Sequence, residues 1–334
     1  MKIRILLLAI VWCASLSAQE EKIHWLTLTE ADKLYQENPK PLIIDFYTDW
    51  CGWCKRLDQT TYANPDVISF VNRYFYPVKV NAEGKDTLYF QNKVYAPVQN
   101  GSRTLSSLAI EMLNGKLSYP TTVFWHGKEN VNLVVPGYLE VLKMEAFLVY
   151  FIENAYMSSN VNDFVSDFEK VFSAKNPDDK VVKNYWTDFK DLDDKQKQEK
   201  KKILLFMSAS WNNSSRMMER EVFADSAFSE LAQRYFYSLH LDVQSQDSIT
   251  FMTHKFGNAG QANNNLHQLA IALSDKVLRV PSIYIFDMEG KLMERLYFYV
   301  DKRRGRMILD YIGSDTYKTM SWGDYVKIKE REGM

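Results

Sequence analysis

Two cysteines three positions apart, Cys51 and Cys54, lie in the run Trp50-Cys51-Gly52-Trp53-Cys54-Lys55, directly after the apolar stretch 42–47. A cysteine that opens a helix faces unpaired backbone N–H groups and the positive end of the helix dipole, which favours its thiolate and lowers its pKa. Cys51 is therefore the expected nucleophile. Cys54, one turn later, is placed to attack a mixed disulfide formed on Cys51 and release the reduced substrate, a step made fast by proximity. Two other uses of the pair compete with redox exchange. A structural zinc site needs two more ligands, yet His24, His126, His240, His254 and His267 are scattered with no H-x₃₋₅-H pair among them, so no metal is expected. An inert local disulfide is the other alternative, and the C-x-x-C spacing itself favours redox chemistry.

The same layout recurs 161 residues later with its chemistry erased. Trp211-Asn212-Asn213-Ser214-Ser215-Arg216 follows the apolar run 203–207, and the offset also carries Trp25 to Trp186, Ala63 to Ala224 and Arg73-Tyr74-Phe75-Tyr76 to Arg234-Tyr235-Phe236-Tyr237. Leu108-Ala109-Ile110 likewise maps to Leu269-Ala270-Ile271, and Pro120 to Pro281. A repeat of this length means two globular domains rather than stacked short modules. Cys51 becomes Asn212 and Cys54 becomes Ser215, neither of which forms a disulfide, and Ser215 has no histidine near it in sequence to act as a base.

A chain of 334 residues is long enough for about two domains, and its net charge of −1 leaves no footprint for nucleic acid. The lysines of 195–202 are balanced by Asp191, Asp193, Asp194 and Glu199, the pattern of a solvated helix face. Lys2 and Arg4, the apolar run 5–12 and the small residues Ala14, Ser15, Ser17 and Ala18 form the layout of a secretory signal over 1–19. The run falls well short of the roughly 20 apolar residues that span a bilayer. Bulky Trp12 makes Cys13 a poor lipid acceptor. With the signal removed, Cys51 and Cys54 are the only thiols, in a compartment where disulfides persist.

The elements that must position the pair follow from periodicity and punctuation. Expected are a helix over 29–37 ended by Asn38-Pro39, a strand over 42–47, the active-site helix over 51–60 and a helix over 65–73. Strands over 76–80, 121–125 and 131–135 and a last helix over 139–156 complete the unit, and the second half repeats the order. Its final strands, 283–287 and 292–297, are turned by Met288-Glu289-Gly290. The stretch between Asn81 and Ser118 is read as an insertion with a short helix over 105–113. Phe251 and Leu269-Ala270-Ile271 repeat its apolar positions, so it predates the duplication. Phe164, Phe168, Val171 and Phe172, at helical spacing, predict an amphipathic helix docked on a domain, within a linker over 158–183. The domains are expected at 21–157 and 184–318, followed by a charged tail at 319–334.

Strand, Trp-Cys-Gly-x-Cys-Lys, helix and the distant proline of Tyr119-Pro120-Thr121 together resemble the thioredoxin superfamily, in both halves. The resemblance implies an α/β architecture: two tandem thioredoxin-like folds, each a central mixed sheet flanked by helices. Cys-Gly-Trp-Cys-Lys is similar to the motif of exported thioredoxin-like domains, including the soluble domain of the thiol:disulfide interchange protein. It implies that Cys51–Cys54 is a redox-active disulfide, that Asp45 is a buried carboxylate handling the resolving cysteine's proton, and that Lys79 faces it. It also implies a cis Pro120 in a loop that, with Trp50, Trp53, Tyr119 and Thr121, receives an extended substrate. At the offset of 161, Asp45 becomes Phe206 and Lys79 becomes His240.

The function implied is an exported thiol-disulfide oxidoreductase, reductase or isomerase-like, periplasmic in a Gram-negative source. Its substrates would be protein disulfides, with a membrane thiol:disulfide carrier as electron donor and no cofactor. The second domain would be a redox-inactive binding or structural platform. The competing reading is a non-enzymatic interaction or assembly module with a vestigial pair. Gly52-Trp53 holds no histidine to stabilise a thiolate, so the pair leans reducing, while the direction of exchange stays open across a range of roughly 150 mV.

Overall fold

The computed structural model describes residues 22–173, 185–274 and 277–333. The expected signal over 1–19, with Cys13, and the part of the expected linker over 174–183 lie outside the described residues. The chain divides by contacts into two units, the first ending at Tyr138 and the second beginning at Leu139. No helix among the described residues is long and apolar enough to cross a membrane.

In the first unit, α1 (Leu28–Glu37) starts where the side chains of Thr27 and Glu30 each bond the other's backbone N–H, and it stops at Asn38. β1 (Leu42–Tyr47) is buried from Leu42 to Phe46, on both faces. Cys51 caps α2 (Gly52–Gln59), and Asn64 with Pro65 in the first turn opens α3 (Pro65–Tyr74). After β2 (Tyr76–Asn81) comes the insertion: β3 (Leu88–Phe90), β4 (Lys93–Tyr95), β5 (Pro97–Asn100), β6 (Arg103–Ser106) and α4 (Ser107–Met112). β7 (Thr121–His126) and β8 (Val131–Pro136) close a sheet of order β2-β1-β7-β8, in which only the β1–β2 pair is parallel. Its register sets Asp45 between Lys79 on one neighbour and Thr122 on the other. Leu28, Tyr35, Ile44, Phe46, Val78 and Val123 form the centre of the core.

The second unit opens with α5 (Val141–Ile152) and α6 (Val161–Phe172), then repeats the order as α7 (Leu192–Gln198), β9 (Lys202–Ser208) and α8 (Asn213–Met217), which runs on into a π-helical turn over Met218–Val222. α9 (Ser226–Tyr235), β10 (Phe236–Asp242), β11 (Ile249–Phe251), β12 (His254–Phe256), α10 (Gln268–Leu273), β13 (Ser282–Phe286), β14 (Leu292–Leu296), α11 (Lys302–Gly313) and α12 (Trp322–Arg331) follow. The sheet is β10-β9-β13-β14, again parallel only at its first pair, and Phe206 stands opposite His240 as Asp45 stands opposite Lys79.

The insertion is more strand than expected. β3 and β4 turn at Gln91-Asn92, both at positive φ, and β11 and β12 turn the same way at Met252-Thr253, 161 residues on. β5 and β6 form a further hairpin. α5 ends at Ile152, before a left-handed Asn154 and a 3-10 turn over Ala155–Met157, and Asp315 and Thr316–Lys318 repeat that ending. The stretch expected as a charged tail holds α12, which begins 161 residues after α6, under a Ser321 cap matching Asn160. Linker helix and tail are thus the same element of the duplicated unit.

Where α11 packs, a Cβ at Gly313 would overlap the Tyr235 ring, whereas nothing lies within 4 Å of one at Gly323 in α12. Gly313→Ala is expected to cost about 1–3 kcal/mol by overpacking, and Gly323→Ala to be neutral or to gain up to about 1 kcal/mol. Urea-unfolding midpoints of the two variants check the contrast.

Candidate active site

β1 delivers the chain through the turn Thr48-Asp49-Trp50 to Cys51, whose backbone is extended (φ −73°, ψ 103°) as a cap residue requires. Its Sγ accepts the Cys54 N–H at 3.0 Å, so the sulfur satisfies one of the helix's orphan donors. Cys51 and Cys54 are joined by a disulfide, with Cα atoms 5.3 Å apart. Both residues are only 4% exposed, while Trp50 and Trp53 beside them are 63% and 57% exposed. The disulfide therefore lies at the bottom of an aromatic rim.

That rim is held from several sides. The Trp50 indole N–H donates to Glu83 Oε2 at 2.9 Å, and its ring meets Tyr119 edge-on at 6.2 Å. Arg103, on β6 of the insertion, reaches Glu83 Oε1 at 3.8 Å. Trp53 packs on Tyr138 at 5.5 Å, with Arg56 over both rings. Tyr119-Pro120 is cis, the Pro120 carbonyl accepts from Gly137 N–H, and Thr121 Oγ1 donates to the Ser118 carbonyl. The sequence singled out Trp50, Trp53, Tyr119, Pro120 and Thr121; it did not single out Glu83, Arg103, Arg56 or Tyr138, which lie at no motif spacing.

Asp45 is 1% exposed and neither carboxylate oxygen has a hydrogen-bond partner. Lys79 Nζ stands 3.5 Å away and bonds Asp58 on its other side. Burial pushes the Asp45 carboxyl up to about 7; Lys79 pulls against it and Asp58 adds to it. Asp58 lies four residues after Cys54, on the same face of α2. It was missed in the sequence although a signal existed: the offset of 161 maps it to Glu219, again acidic. A cleft of about 430 Å³ lined by Trp25, Tyr62, Ile68, Asp58 and Lys79 opens onto this pair. Among the described residues, no three His, Cys, Asp or Glu side chains are grouped to hold a metal.

The second half keeps the frame and discards the chemistry. Asn212 caps α8 with Oδ1 accepting the Ser215 N–H at 2.7 Å, the role Cys51 Sγ plays in the first half. Phe206, in place of Asp45, packs against Phe223 at 4.4 Å and His240 at 5.3 Å. His240, in place of Lys79, lies 3.4 Å from Glu219 and 2.8 Å from Ser208 Oγ. Val280-Pro281 is cis, like its counterpart.

The family profile described as a thioredoxin-like domain matches residues 28–152 and 189–313. Among curated proteins, the thiol:disulfide interchange protein DsbD of Salmonella typhi is 27% identical over 117 residues, 34% of this chain. The match covers 17% of that protein, so the chain spans about a sixth of this relative's length. Similar solved structures include a putative disulphide-isomerase from Bacteroides thetaiotaomicron, at 24% identity and a TM-score of 0.30, covering 41% of this chain and 98% of that one. The oxidised C-terminal domain of DsbD from Neisseria meningitidis is 20% identical with a TM-score of 0.25, over 37% of this chain and 88% of that one.

Because the folded pKa of Asp45 lies above its unfolded value of 3.8, its ionised form destabilises the fold. The cost is absent below about pH 4, grows as pH rises through 4 to 7, and is complete above 7. Asp45→Ala is expected to gain stability relative to the parent protein by on the order of 4 kcal/mol between pH 4 and pH 8, accumulating at about 1.4 kcal/mol per pH unit between the two pKa values. Denaturant unfolding of both oxidised proteins at the two pH values measures this, and a pH-independent difference would contradict it.

Proposed function

The chain belongs to the thioredoxin-like domain family in both of its halves, and on that footing we propose that it is an exported thiol-disulfide oxidoreductase acting on protein disulfides through Cys51 and Cys54. The observation that carries the reading is the sulfur of Cys51 standing as the cap of α2, bonded to a second sulfur one turn on, with a buried carboxylate on the adjacent strand. The interchange activity named for the Salmonella relative agrees with it.

In the reducing direction, the Cys51 thiolate attacks one sulfur of a client disulfide. The client S–S bond breaks, a Cys51–client bond forms, and the client's other sulfur leaves as a thiolate that takes up a proton. Cys54 then loses its proton and attacks Cys51 Sγ. The Cys51–Cys54 disulfide forms as the second client thiol departs, and two electrons have passed from the protein to the client. Asp45, raised by burial to a pKa near 7 against the pull of Lys79, is matched to hold the Cys54 proton at neutral pH. The exposed faces of Trp50 and Trp53 and the loop Tyr119-Pro120-Thr121 are the proposed client contacts. Catalysis is assigned to a domain over 21–157, and regeneration to an external thiol donor such as a membrane carrier. The domain over 184–318 carries no sulfur at Asn212 and Ser215 and serves as a platform.

Cys51→Ser is expected to abolish reduction of insulin, and Cys54→Ser to accumulate mixed disulfides with clients, visible on non-reducing gels. Wild-type activity in Cys51→Ser, or faster alkylation of Cys54 than of Cys51 in the reduced protein, would contradict the assigned roles.

A further inference from the structure

The offset that turns Cys51 into Asn212 also turns Trp53 into Ser214. Trp53 is more than half exposed, whereas Ser214 is fully buried. What lies there is the chain's own connecting segment. Glu153, just past α5, accepts from Asn212 Nδ2 at 2.9 Å and from the Ser214 N–H at 3.1 Å. Burial pushes its carboxyl up to about 7 against the pull of those hydrogen bonds. The contact then continues along α6. Phe164 meets Tyr299 edge-on at 5.0 Å, Arg220 donates to the Val171 carbonyl at 3.2 Å, and the Arg216 guanidinium lies over the Phe172 ring at 4.6 Å. Lys170 of α6 shares the buried carboxylate of Glu221 with Lys302, at 2.7 and 3.2 Å.

We propose that the Asn212–Arg220 side of the face of the second fold equivalent to the redox face of the first is a docking surface for segment 153–172 of the same chain and is closed to clients, while Trp211, the counterpart of Trp50, stays exposed at its edge. Client contact then falls to the first fold, and the second acts as the holder of the connecting helix. This rests on the platform role proposed above and specifies it.

The duplicated unit supplies an internal control. α12 is the second copy of α6, but the apolar positions Phe168, Val171 and Phe172 become Lys329, Glu332 and Gly333, and Glu153 becomes Ser314. Of the α6 residues named, only Phe164 keeps an aromatic counterpart, Tyr325. Apolar docking residues are present on the copy of the helix that has a degenerate motif to meet, and absent at the same positions of α12.

The test uses hydrogen–deuterium exchange on the full chain. Ser214→Trp, which restores the bulk of the first motif, is expected to raise amide exchange in 161–172 by about tenfold or more while leaving reduction of a small disulfide at Cys51 unchanged. The double variant Lys170→Ala/Phe172→Ala, which alters only the segment, is expected to do the same and guards against a general unfolding by the tryptophan. Unchanged protection of 161–172 in both variants would overturn the proposal. So would a scrambled protein client that slows exchange of 212–220 in the parent protein, because that face would then be open. Failure of the redox reading appears separately, as client reduction that survives Cys51→Ser.

Discussion

A helix needs acceptors for its first-turn N–H groups, and in the first fold one of them is the sulfur of Cys51. The same bond that starts α2 holds Cys51 beneath the aromatic rim, sets it against the helix dipole and joins it to the N–H of Cys54, one turn on. Everything else at the site is arranged around that cap. In the second fold, Asn212 takes over the identical bond with a side-chain oxygen. Asparagine ranks among the best caps, so the helix survives the loss of its sulfur without losing its start.

The contrast between the strands beneath the two caps has an energetic side. Asp45 is held in the core with neither oxygen hydrogen-bonded, Lys79 3.5 Å away and a pKa raised by burial to about 7, an arrangement that costs stability when the carboxyl is ionised. Phe206 fills the matching place with ring contacts to Phe223, His240 and Trp186. Outside it, His240 and Glu219 lie 3.4 Å apart where Lys79 and Asp58 pair in the first fold.

Much of this was legible in the sequence. The run 42–47, the cap at Cys51 and the turn before Pro65 are local signals, and the strands and helices they predict lie within about two residues of those found. The offset of 161 exposed the duplication and the loss of chemistry in the second half. Three features escaped because their causes are not periodic. β3 and β4 are three residues each, too short for alternation to register. Asp58 needed the fold to bring Lys79 from 21 residues away. Glu153 meets Asn212 across 59 residues, and no local pattern marks that pairing.

The reduction potential of the Cys51–Cys54 couple tests the central claim most directly, by equilibrating the protein with glutathione or dithiothreitol redox buffers and quantifying the two states by alkylation. A working exchange centre with no histidine between its cysteines should titrate as one two-electron couple, reducing in character, at roughly −200 to −270 mV. A pair that stays oxidised across the whole buffer range, or one poised near −120 mV like a strong oxidant, would contradict a reducing exchange centre at this cap.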